Sequence, residues 1–124
     1  MFGIRHFLGR LGLILALIGT VAGCATTSSA EVSLSRSGFT PADVACMAEA
    51  IYHEARGTGE EGRVAVGEVI LNRVADPRFP DTVCAVVDDN CQFSYRCDAI
   101  PDDKFGNPAA YARARATSFE LMTS

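Results

Sequence analysis

The sequence predicts an α+β, mainly helical domain, and three features carry that expectation. Two amphipathic segments with start and stop signals stand side by side between residues 40 and 76. A turn-rich stretch holding three of the five cysteines follows them. A last helix-start signal then opens a segment that runs to the end of the chain.

Thr40-Pro41 has the side chain and the fixed φ that begin a helix. Apolar or small residues then recur at Val44, Met47, Ala48, Ile51 and Ala55, and Gly57 is a stop. The turn Thr58-Gly59-Glu60-Glu61-Gly62 leads to a second apolar series, Val64, Ala65, Val69, Ile70 and Val74, closed by Asp76-Pro77. Together these read as a helical hairpin. Residues 77–103 contain Pro77, Pro80 and Pro101 and the β-favouring pieces Thr82-Val83, Ala85-Val86-Val87 and Gln92-Phe93-Ser94-Tyr95. They read as a lobe with strand character pinned by disulfides. Asn107-Pro108 starts the final helix, with Tyr111, Ala114, Phe119 and Leu121 on its apolar side.

The N-terminal segment reads as an address. Arg5 and Arg10 precede an uncharged apolar run over residues 11–23, the order of a secretory leader. That run is shorter than the ~20 residues a membrane-spanning helix needs. It ends in Val21-Ala22-Gly23-Cys24, which resembles the bacterial lipoprotein box and makes Cys24 the lipidation site. The plainer alternative is a leader cut after Ala30. Residues 1–24 are thus a lipoprotein-type signal peptide and residues 25–40, rich in Ser, Thr and Ala, a flexible tether. Residues 41–124 form the domain. The expected location is the cell envelope, with the chain exported, anchored in a membrane by lipid and facing the periplasm; Ala25 after Cys24 leans toward the outer membrane.

Export gives the cysteines meaning. Setting Cys24 aside leaves Cys46, Cys84, Cys91 and Cys97, an even set in an oxidising compartment, hence two expected disulfides. The pairing expected is Cys84 with Cys91 and Cys46 with Cys97. Zinc is the rival, but the spacings form no C-x2-C knuckle, so neither a metal nor another cofactor is expected. With 11 basic against 15 acidic residues, no basic run and no tryptophan, the chain does not read as a nucleic-acid binder.

Among residues able to do chemistry, Glu54 stands out. It shares a helical stripe with Met47, Ala50 and Ile51, so it either lies in the core with a partner or opens into a cleft. A carboxyl group among apolar neighbours is disfavoured in its charged form, which suits a general acid. The competing role is an ion pair with Arg56 or Arg63 that ties down the helix end. His53-Glu54 lacks the second histidine of a zinc-protease helix, because Gly57 stands in its place. His53 points about 100° away from Glu54.

The run Ala48-Glu49-Ala50-Ile51-Tyr52-His53-Glu54-Ala55-Arg56-Gly57 is followed in order by three others: Glu61 to Gly67, Val69 to Val74, and Pro77 to Cys84. With Cys91-Gln92-Phe93-Ser94-Tyr95 they resemble the bacterial cell wall hydrolase family of the spore cortex-lytic enzymes. The resemblance implies a lysozyme-like catalytic domain acting on peptidoglycan. It makes Glu54 the catalytic acid and places Gln92, Phe93, Ser94 and Tyr95 along the substrate cleft. It also implies a further segment past the last helix; the sequence stops at Ser124 without it, so the domain is expected to be C-terminally incomplete. Thr58 departs from the acidic residue common there.

No second carboxylate is compelling among Glu49, Glu60, Glu61 and Glu68. The expected reaction is therefore that of a lytic transglycosylase with a single glutamate. Two alternatives stand beside it: an N-acetylmuramoyl-L-alanine amidase, and a non-catalytic envelope lipoprotein that binds glycan.

Overall fold

A computed structural model describes residues 28–98 and 105–124. The leader, Cys24 and residues 99–104 of the turn-rich stretch lie outside the described residues. Five α-helices make up the framework: α1 Ser29–Ser37, α2 Pro41–Glu54, α3 Glu60–Val74, α4 Val83–Asp88 and α5 Pro108–Thr123. Two 3₁₀ turns, Asp89–Cys91 and Ser94–Cys97, follow α4.

The central element is α2. Thr40 and Asp43 cap it reciprocally, the Asp43 N–H donating to Thr40 Oγ1 at 3.2 Å and the Thr40 N–H to Asp43 Oδ2 at 2.9 Å. Val44, Met47, Ala48, Ala50, Ile51 and Tyr52 are all buried, more than one stripe of the helix. This follows from its position, because α3, α4 and α5 all pack against it. Close approach relies on small residues. Ala114, Thr117 and Ser118 are buried on α5, and the Ser118 hydroxyl is satisfied by Ala114 O at 2.8 Å. A Cβ at Gly67 of α3 would run into Leu121 and touch Met47 and Ile51.

The far end of α2 is tied to the start of α5. The Asn107 N–H donates to the Tyr52 hydroxyl at 3.1 Å. Tyr52 meets Phe105 edge-on at 5.1 Å, and Phe105 stacks on Tyr111 at 3.7 Å.

Three expectations are corrected. Within the expected tether, residues 29–37 are helical. Ser28 and Glu31 form a capping box, Gly38 closes the helix at φ 82°, and Leu34 is buried in the core. The β-favouring pieces form no strand among the described residues. Val83, Val86 and Val87 are spaced for one face of a helix, and Thr82 caps it by accepting from the Ala85 N–H at 3.3 Å. All three valines are buried, so burial outweighs their β preference. The domain is thus mainly helical where described, as expected, and its strand part does not appear among those residues.

The two disulfides are present with a different pairing, Cys46–Cys84 and Cys91–Cys97. The helix at residues 83–88 is the cause. It packs Cys84 beside α2, at 5.2 Å Cα–Cα from Cys46. Asn90 and Cys91, at φ 47° and 56°, then turn the chain back so that Cys91 meets Cys97.

Candidate active site

Glu54 is the last residue of α2 and is exposed. Of the two places open to it, core or cleft, it takes the cleft. That cleft is open, about 270 Å³ in volume, and Glu54 forms one wall. The cleft is also lined by Ala65, Val66, Val69 and Arg73 of α3 and by Gln92 and Phe93. The spacing of Val66, Val69 and Arg73 sets them on one face of α3. Val69 is 46% exposed, although the sequence series counts it as core. An exposed valine on a cleft wall offers an apolar face to a ligand.

Arg73 is the residue that sequence reasoning missed. Its guanidinium lies 5.3 Å from the Phe79 ring centre and 5.8 Å from that of Phe93, so two aromatic rings flank it beside the cleft. Its place on the α3 face, four residues after Val69, follows from helical spacing, but the two rings that flank it do not.

Neither competing ion pair of Glu54 forms. Arg56 lies over the Tyr52 ring at 4.8 Å, and the Arg63 Nε donates to Thr117 Oγ1 at 3.3 Å. Glu60 and Glu61 line a separate hollow with Thr58, Gly59, Gly62 and Val64, away from the Glu54 cleft. Glu49 pairs with Arg96 at 3.4 Å, and Arg96 also meets Asp88 at 3.0 Å. This bridge fastens the 3₁₀ turn at Ser94–Cys97 to α2 and so supports the neighbouring Gln92-Phe93.

The expected substrate-binding run divides. Gln92 and Phe93 reach the cleft, whereas Ser94 is exposed outside it. Tyr95 is buried and stacks on His53 at 4.3 Å, so its contact is internal. His53 is half-buried in that stack. Among the described residues no group of three His, Cys, Asp or Glu side chains is placed to hold a metal ion. No helix among them is long and apolar enough to cross a membrane.

The helical domain thus places one carboxylate, Glu54, on an open, partly apolar cleft. Comparison with known proteins gives the family. The cell wall hydrolase family model matches residues 57–122, and the chain belongs to that family. The match begins three residues past Glu54. The chain is 44% identical over 71 residues to the spore cortex-lytic enzyme of Oceanobacillus iheyensis, which is 54% of this chain and 26% of that protein. To the spore cortex-lytic enzyme of Bacillus subtilis it is 43% identical over 61 residues, 49% of this chain and 20% of that protein. The Halalkalibacterium halodurans enzyme of the same name is 44% identical over 61 residues, covering 18% of its length. The chain thus spans about a quarter or less of these curated relatives. No solved structure matches it.

Proposed function

We propose that the chain is a peptidoglycan hydrolase that cuts the glycan strand as a lytic transglycosylase, with Glu54 as its single acid and base. One observation carries the reading: among the described residues, Glu54 is the only carboxylate lining the cleft. Most glycosidases flank the scissile bond with two carboxylates, the second acting on water or on the sugar. A route that uses one carboxyl twice suits this cleft better. Glu54 donates its proton to the glycosidic oxygen as the bond to C1 breaks. The resulting carboxylate then takes the proton of the same sugar's 6-hydroxyl, and that oxygen closes on C1. A 1,6-anhydro ring forms, no water is consumed, and Glu54 regains its proton.

Gln92 and Arg73 supply hydrogen-bond donors to sugar hydroxyl and acetamido groups. Val66, Val69 and Phe93 supply the apolar surface against which a sugar's C–H face packs. Ser94 and Tyr95 support that run, Tyr95 through its stack on His53. The envelope location follows from the substrate, and lipidation of Cys24 would hold the domain at a membrane surface. Cys24→Ser should abolish lipid labelling; a wild-type chain recovered lipid-free and beginning at Glu31 contradicts the anchor.

Analysis of the products from digested sacculi tests the bond. Anhydro-sugar ends support the reading. Reducing ends place water in the reaction, freed stem peptides assign an amidase, and unchanged sacculi that still bind the protein assign a glycan-binding role.

A further inference from the structure

On another side of the α2 terminus lies a second hollow, of about 600 Å³, lined by Arg56, Arg63 and Arg113 together with Tyr52, Thr58 and Asn107. Three arginines line it, and no carboxylate does among the described residues. None of the three arginines forms an ion pair among the described residues; the ion pairs there are those of Arg78 and Arg96. Two of the three make contacts with uncharged groups. Arg56 rests over the Tyr52 ring, and Arg63 is bonded through Nε to Thr117.

We propose that this hollow binds a carboxylate, that of a peptidoglycan stem peptide. The inference rests on the glycan-strand reading above and extends it from the sugar to the peptide substituent. Arginine forks pair with carboxylates in a bidentate way, and several converging on one hollow give both attraction and orientation. Proximity chooses the source. Arg56 is two residues from Glu54, so their Cα atoms are within about 7 Å. A strand with its sugar at Glu54 would carry its own stem peptide at the distance of a neighbouring hollow. The Glu54 cleft holds one carboxylate and one arginine among apolar and amide groups, whereas three arginines line this hollow, which suits a charged peptide substituent beside a neutral sugar.

The test is titration of the full chain with a soluble stem tetrapeptide and with the same peptide amidated at its carboxyl groups, read by calorimetry or chemical shift. The acid form should bind at least tenfold more tightly than the amide. Arg56→Gln combined with Arg113→Gln, both at exposed positions, should remove that preference while the far-ultraviolet circular dichroism stays unchanged. Lys in place of both arginines should restore part of it. Equal binding of acid and amide, binding of neither, or a preference that survives the double variant overturns the proposal. Inorganic phosphate that binds at the arginines and is not displaced by the tetrapeptide also overturns it, in favour of a phosphate site. The sugar chemistry at Glu54 is scored on cleavage products, so either reading can fail while the other stands.

Discussion

The two long helices on either side of the Glu54 cleft, α2 and α3, look alike in sequence and do opposite work. In α2 the apolar positions are buried, Met47 and Ala48 completely, because three helices surround it. In α3 only Gly67 and Ile70 are buried, and Val69 is largely exposed. The difference teaches that α2 is scaffold up to its last residue, where Glu54 emerges. By contrast, α3 spends part of its apolar face on the cleft. A site built from one rigid helix end and one half-used helix face needs little else to be positioned.

The comparison can be broken most strongly at its core. Met47→Ala leaves a cavity under α3 and α5 and should cost about 2–5 kcal/mol, read as a lower denaturant midpoint. Preservation of the midpoint would mean that α2 is not central. Loss of Cys46–Cys84, which joins α2 to α4 across 38 residues, comes next. The paired change to Ala should cost about 2–4 kcal/mol. Loss of Cys91–Cys97, spanning 6 residues, should cost roughly 1.5 kcal/mol less on loop-closure entropy. Peptide mapping of the oxidised protein checks the pairing itself.

Gly67 sharpens the contrast at the α2–α3 contact. Gly67→Leu should cost about 1–3 kcal/mol through overpacking. Gly67→Ala should be close to neutral, because the Leu121 side-chain end can move aside and alanine regains about 1 kcal/mol of helix propensity. The smallest stability effect belongs to the cleft face. Val69→Ser should change stability by about 0.5 kcal/mol or less, yet weaken retention on sacculi measurably. A large loss of stability there would make Val69 a core residue after all.

Much of this was legible in the sequence, for reasons that can be named. Thr40-Pro41 and Asn107-Pro108 begin helices through local hydrogen bonds, and local chemistry is what sequence displays. Glu54 stood out because a carboxylate on the Met47–Ile51 stripe has to face either core or cleft. Less was legible where tertiary placement decides. Val83, Val86 and Val87 favour strand by composition, and only the surface of α2 makes them a helix. The disulfide pairing depended on that same helix. The helix at residues 29–37 was readable from the Ser28–Glu31 box and Gly38, but the Ser-Thr-Ala composition around it pointed to a tether. Arg73 was hidden because its role depends on two rings, Phe79 and Phe93, brought from elsewhere in the chain.

The central claim is that Glu54, and no other carboxylate, performs the chemistry. Glu54→Gln keeps the shape and hydrogen-bonding capacity of the side chain but has no acid proton to give. The direct measurement is the initial rate at which purified wild type, Glu54→Gln and Glu49→Gln clear a suspension of sacculi. Glu49 is the control because it is half-buried on a different face and is held by Arg96. The account predicts a loss of about 10²- to 10⁴-fold for Glu54→Gln, with folding intact and with Glu49→Gln within a few-fold of wild type. Clearance by Glu54→Gln at the wild-type rate would contradict it.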